Sequence, residues 1–385
     1  VNGLRQLVRN SLFEGRDSIR LVRETGKSME AVVEVWNPEW EALNRQEEET
    51  KSAGENNPTF KAVQYQKERM SGEYLLRELA TQGVLPAYGF PTHIAAFDNL
   101  TVSQFKRTRR EREEKKGEDN RYRRRELASR DSVMALREYA PGAEVVMDGL
   151  VYRSAGITLN WHYDPSHRDV TEAQALKFAW RCHQCNHNGS SRLMDGTLHC
   201  SECNAEISQD NRRMFLEPAG FSVDFYDEPN NDVTTQDFIP VEAPWVSANG
   251  DWSLLPHPDF GRFRVTTRGH LFHQSNGLHG KGYAICLACG RAEPMSGESV
   301  PQKLLPHKKL RGGKDTKGRE DCLGSHESWA IKPKVTLGHE GYTDVLEIQL
   351  KNESGIWLND RVAALTLAVA LRDALEAVKR ERGLS

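Results

Sequence analysis

The chain has 385 residues, 38% of them hydrophobic and 28% charged, with 52 Lys and Arg against 55 Asp and Glu for a net charge of −3. That length admits two or three domains with a sizeable core, and the composition is that of a soluble, rather polar globular protein. No run of about 20 apolar residues occurs, which excludes a membrane-spanning helix.

Residues 1–83 read as a helical region, because Leu4, Leu7, Val8 and Leu12, and later Val63, Tyr74, Leu75 and Leu79, recur at helical spacing. Pro38 and the polar run 52–58 are expected to break it into separate helices. Gly26-Lys27-Ser28 imitates the end of a phosphate-binding loop. The glycine that such a loop needs five residues earlier is Leu21, so the tripeptide reads as a helix–loop junction. A β-rich domain over 84–175 opens at Leu85-Pro86-Ala87-Tyr88-Gly89-Phe90-Pro91, whose prolines and glycine forbid a helix interior.

Within that domain, residues 106–125 carry eleven Lys and Arg against five acids. Lys106, Arg107, Arg109 and Arg110 form one half; Arg121, Arg123, Arg124 and Arg125, interleaved with Tyr122 and free of acids, form the other. Such a strip suits a phosphate-facing nucleic-acid contact, since clustered cations release counterions on binding a polyanion. A solvated, charged linker is the competing reading, because Glu111, Glu113, Glu114 and Glu118 are mixed in. Residues 133–160 read as strands with turns, and Asp148-Gly149 between two apolar runs predicts a hairpin.

Four cysteines follow as two clips, Cys182/Cys185 and Cys200/Cys203, with 14 residues between them. Two Cys-x-x-Cys turns can close a tetrahedral thiolate shell around one structural zinc, so 176–210 is expected to be a zinc ribbon. Disulfides fit poorly, because seven cysteines leave one unpaired and nothing at the N-terminus resembles a secretion signal; the expected location is the cytoplasm. A β-rich segment, 211–285, comes next, with strands expected at Phe221–Phe225 and Arg262–Val265.

A second zinc is expected in a module over 286–385, from Cys286, Cys289 and Cys322. Its fourth ligand is His307 or His326, with His307 preferred for its place in the polar loop between clip and last cysteine. Val345 to Leu350 reads as a strand. A helix from about Asp360 to Arg382, capped by Asn359 or Asp360, is apolar nearly all round in its first half and is expected to be buried there.

No catalytic residue stands out. Asp227-Glu228 mimics an ATPase acidic pair without a phosphate loop to serve, and His257, His270, His273 and His279 cluster without a nearby carboxylate. Val1 in place of Met, and an end at Leu384-Ser385 without a tail, read as a piece of a longer polypeptide.

The words Leu85–Pro91, Arg137-Glu138-Tyr139-Ala140-Pro141-Gly142, Tyr152-Arg153-Ser154-Ala155-Gly156, Cys286-Leu287-Ala288-Cys289-Gly290 and Leu337-Gly338-His339 resemble large superfamily 2 helicases that carry an MrfA-type zinc-binding domain. Within that family the likeness is strongest to the long DruE-type helicases of Druantia anti-phage systems and weaker to the DrmB type of DISARM. It runs from about residue 75 to 380. The motor motifs of the family, a phosphate loop and a DEAD or DEAH box, are absent, as is the glycine-rich segment that usually closes the domain. Both absences are expected of a fragment of such a helicase.

The expected fold is α+β: a helical N-terminal part, a β-rich middle with an inserted zinc ribbon, and an α/β C-terminal module. The resemblance implies a non-motor accessory region of an ATP-dependent DNA helicase in anti-phage defence, holding two structural zinc ions. DNA, and a helicase motor in cis or a defence partner subunit, are the implied partners. A zinc-ribbon interaction scaffold without DNA contact is the first alternative, and a metal-dependent nuclease using His270 and His273 the second.

Overall fold

The computed structural model describes residues 17–51, 93–114, 127–159, 176–191, 198–234, 236–240, 242–312, 320–326, 330–358 and 360–381, with isolated positions before residue 93. The fold is mixed α+β, as expected, with helix at the N-terminus, a β-rich middle and a C-terminal helix. No helix among the described residues is long and apolar enough to cross a membrane. The chain divides into two discontinuous units: Val1–Val246 with His270–Thr343, and Ser247–Gly269 with Asp344–Ser385.

The first long described element of this unit, α1 (Ser18–Lys51), corrects two expectations. Its backbone runs through Pro38 without a break. Trp36 and Trp40, one turn apart on either side of the proline, stack with ring centroids 5.2 Å apart and tie the two turns together. Gly26-Lys27-Ser28 therefore lies inside a helix, not at a helix–loop junction, and the Ser28 hydroxyl donates back to the Glu24 carbonyl at 3.1 Å.

A five-stranded sheet follows, in the order β2-β1-β8-β4-β3. Its members are β1 (Ile94–Asp98), β2 (Ala128–Asp131), β3 (Glu144–Met147), β4 (Leu150–Thr158) and β8 (Gly220–Val223). β1 and β8 are parallel, while β2, β3 and β4 join antiparallel. The predicted hairpin is β3–β4, with Asp148 and Gly149 both at positive φ (52° and 74°), as a tight primed turn demands.

Two helices flank these strands, α2 (Val102–Glu114) and α3 (Ser132–Glu138). α3 corrects the reading of 133–160 as strands with turns: the Asp131 carboxylate accepts the Val133 N–H at 3.0 Å and starts a helix there. Phe97, Tyr139, Ile157, Phe221, Tyr283 and Leu337 form the centre of the core, each worth roughly 1.5–3 kcal/mol on burial.

A second set of strands comprises β5 (Lys177–Arg181), β6 (Asn188–Ser191) and β7 (Arg212–Leu216), with β9 (Trp245–Ser247) later in the chain. β5 pairs antiparallel with β6 and β7. The short β10 (Ser253–Leu254) precedes the long β11 (Gly261–Ser275). β12 (Tyr283–Cys286) and β13 (Ala292–Pro294) form the hairpin that carries the third cysteine clip. β14 (Ile331–Leu350) lies antiparallel to β12 and parallel to β7. The strand expected at Val345–Leu350 is thus the far end of a 20-residue element.

In the second unit, β10 pairs with the start of β11, and the Arg262 guanidinium lies 4.2 Å from the Trp252 ring and 5.0 Å from that of Trp357. Arg264 is buried and bonds Glu347 through Nε at 2.9 Å and Nη2 at 2.8 Å. The closing helix, α4 (Arg361–Glu381), is capped by Asp360, whose carboxylate accepts from Val362 N–H at 2.7 Å and Ala363 N–H at 3.1 Å. Its first half is not buried as expected: Val362 is 74% and Leu365 67% exposed. An all-round apolar sequence marks a helix that wants cover, and its own unit leaves these residues uncovered.

Candidate metal centres

The first two clips fold into the same turn. In each, the first cysteine donates its N–H to the carbonyl five residues on (Cys182 to His187, Cys200 to Ala205, both 2.8 Å). Its own carbonyl accepts the N–H four residues on, from Asn186 at 3.0 Å and Asn204 at 2.9 Å. The fifth residue of each turn is in the left-handed region, Asn186 at φ 59° and Asn204 at φ 58°, a conformation asparagine tolerates. Both thiols and several N–H groups of the clip then face one point.

The two turns bring Cys182, Cys185, Cys200 and Cys203 together, with their sulfurs within 4.8 Å of one another. Cys182 and Cys203 are 3.5 Å apart, as are Cys185 and Cys200. A disulfide requires about 2.0 Å. Sulfurs around one tetrahedral zinc, bonded at about 2.3 Å, stand about 3.8 Å apart, so the set fits the metal and not cystine. Trp180, Ile207 and Leu198 pack around it. Gly189 lets Trp180 lie there, since a Cβ at that position would fall 2.7 Å from the indole ring.

The third clip repeats the turn with glycine in the fifth place. Cys286 N–H donates to Arg291 O, and Gly290 N–H to Cys286 O, both at 2.8 Å, with Gly290 at φ 85°. Here glycine is required twice over, because a Cβ would sit 2.1 Å from the Ile157 carbonyl oxygen. Cys286, Cys289, His307 and Cys322 converge within the same 4.8 Å span. The Cys286 and Cys322 sulfurs are 3.8 Å apart, and His307 Nε2 is 3.3 Å from the Cys289 sulfur.

His307, the preferred fourth ligand, is thus in place, whereas the His326 side chain lies outside the described residues. The His307 Nδ1 faces the Leu304 carbonyl at 2.8 Å, which assigns the proton to Nδ1 and leaves the Nε2 lone pair aimed at the thiols.

Thiols this crowded cannot all ionise without a cation. Hydrogen bonds from Cys286 and Cys289 hold the Cys322 thiol down at about 3, and the same contacts, with burial, push Cys286 far up. Next to the clip, Arg291 is joined to Asp224 at 2.7 Å within the protein and donates from Nε to the Lys308 carbonyl at 3.2 Å. Each set can hold a zinc ion with four protein donors and no position left for substrate.

The other candidate residues are placed less compactly. Lys106, Arg107 and Arg110 lie exposed on α2, and Arg109 is on the same helix. Arg121, Arg123, Arg124 and Arg125 fall outside the described residues. Glu228, of the acidic pair Asp227-Glu228, accepts the Ser103 N–H at 3.2 Å and hydroxyl at 2.7 Å, so it caps the basic helix. His270 and His273 do not converge. An odd spacing on β11 sends them to opposite faces, and His270 bonds Asn188 and, at 3.2 Å, Glu340. The recurring fifth residue (Asn, Asn, Gly) and the Leu304 carbonyl went unread in the sequence; the former was visible as Cys-x-x-Cys-Asn written twice.

No family model matches the chain, and no solved structure matches it. Over 295 residues it is 24% identical to Druantia protein DruE of Escherichia coli (strain UMEA 4076-1). The matched stretch is 73% of this chain and 15% of DruE, so the chain spans a small part of that relative's length. The chain itself is Druantia-related in sequence and carries two cysteine-containing clusters able to hold zinc.

Proposed function

We propose that the chain is a zinc-stabilised, non-motor accessory region of an ATP-dependent DNA helicase of anti-phage defence, and that it engages nucleic acid. The observation that carries this reading is the pairing of two four-donor clusters with similarity to DruE along most of the chain. In this reading 1–83 is a helical arm, 84–175 and 211–285 form the β-rich body, 176–210 is the ribbon, and 286–385 is the MrfA-type module. The zinc ions are structural. They fix short turns that could not hold themselves, while Lys106, Arg107 and Arg110, exposed on α2, offer phosphate contacts. The motor acts in cis or comes from a partner subunit, in the cytoplasm.

A scaffold reading has one observation in its favour: α4 exposes Val362, Leu365, Val369, Leu375 and Val378. The discriminating experiment is binding of the zinc-loaded chain to duplex and single-stranded DNA across a salt series. Affinity that falls steeply with salt supports nucleic-acid engagement. Absence of DNA binding, at any salt, leaves the scaffold.

A further inference from the structure

A third group of metal-binding side chains lies away from the cysteines. The ligand atoms of His93, Glu217 and His339 all fall within 4.8 Å of one another. They come from three distant segments. His93 immediately precedes β1, and its carbonyl accepts the Ser132 N–H at 2.9 Å. Glu217 immediately follows β7, and His339 lies on β14, whose parallel register (Thr336 with Phe215, Leu337 with Leu216) carries both to the same level.

The His93 and His339 rings meet with centroids 4.4 Å apart and planes crossed at 62°. His339 Nδ1 is 2.5 Å from a Glu217 oxygen. Burial grades across the group: the His339 side chain is 7% exposed and that of Glu217 39%. Solvent therefore reaches the group from the carboxylate side.

A structural His–Glu pair needs two residues, whereas three donors of the metal-binding kind, on three segments, converge here. We propose that His93, Glu217 and His339 form a divalent transition-metal site that is open, unlike the two cysteine clusters. Two imidazoles and one carboxylate suit zinc, manganese, iron or cobalt ions, and three protein donors leave coordination positions for water. The ion would sit where the three donor groups converge. The site is independent of the helicase reading and of the zinc-binding thiols.

The test uses the full chain with its cysteine clusters zinc-loaded, dialysed against a weak chelator that leaves the thiolate-bound zinc in place. Mn2+ is titrated in and followed by electron paramagnetic resonance. Co2+ is titrated in parallel and followed by its visible absorption, where nitrogen and oxygen ligation gives no thiolate charge-transfer band. The expected result is one added ion per chain, bound at least tenfold more weakly by Glu217→Gln and by His93→Gln, with zinc content and circular dichroism unchanged. His93→Gln carries the comparison if Glu217→Gln fails to fold, and the reverse holds equally. A wild-type chain that binds neither Mn2+ nor Co2+ overturns the proposal. So does a folded variant that binds them as tightly as wild type.

Discussion

The Nδ1–H of His307 is held by the Leu304 carbonyl at 2.8 Å, and that bond turns Nε2 toward the Cys289 sulfur 3.3 Å away. That orientation is what would let the imidazole serve as a ligand. His307→Ala is expected to drop zinc content from two ions per chain to one, with affinity at the second cluster lower by ~100-fold or more, the upper range for disturbing a metal's supporting contacts. His307→Cys should restore the second ion by completing a four-thiolate set. Zinc released on titration with a thiol reagent, counted with a colorimetric chelator, checks both.

The repeated turn gives a second expectation. Asn186→Ala and Asn204→Ala each force a Cβ-bearing residue without asparagine's local tolerance into the left-handed region, at about 1 kcal/mol apiece. Asn186→Gly and Asn204→Gly should be neutral. Gly290→Ala adds a clash with the Ile157 carbonyl to the same strain and should cost more than about 3 kcal/mol. Denaturant midpoints of the zinc-loaded variants give the order.

The basic helix makes the third. Replacing Lys106, Arg107 and Arg110 with Gln removes three exposed cations from α2 and leaves the core untouched, so the circular dichroism spectrum should stay as in wild type. If α2 meets phosphate, the plot of log affinity against log salt becomes shallower by about 0.9 for each phosphate no longer neutralised. An unchanged slope removes this helix from the DNA interface.

The sequence spoke clearly where chemistry is local. Cysteine clips, the Asp148-Gly149 turn and the Asp360 cap are each decided within a few residues, and each stands where its pattern puts it. Pro38 predicts a break, yet α1 runs through it, with Trp36 and Trp40 stacked one turn apart across the proline, a local pairing that the proline signal masked. The sequence was silent where tertiary contact decides. The apolar face of α4 predicts burial that its own unit does not supply. His93, Glu217 and His339 are separated by more than a hundred residues each, and only the parallel β7–β14 register and the start of β1 unite them. No spacing rule reaches that far.

The last expectation concerns pH. Glu340 sits among Lys177 Nζ at 2.9 Å and His270 Nε2 at 3.2 Å. Burial alone would favour its neutral form, but the Lys177 charge and hydrogen bonds from His270, Ser190 and Lys177 outweigh it and hold the carboxyl well below the usual glutamate range. A carboxyl depressed in the fold binds fewer protons there than in the unfolded chain, whose glutamates titrate near ~4.3. Its contribution is therefore complete above about pH 5 and is lost as pH falls below ~4.3 toward the folded-state value. Zinc release at low pH destabilises the fold in the same direction, so the measurement is a difference. Glu340→Gln should cost about 3 kcal/mol at pH 7, because the mostly buried Lys177 ammonium loses the carboxylate charge it faces at 2.9 Å. The gap between wild type and variant should then narrow between pH 5 and pH 3 in denaturant unfolding. A gap that stays constant through that window would show that Glu340 acts by shape and hydrogen bonding alone, and not by charge.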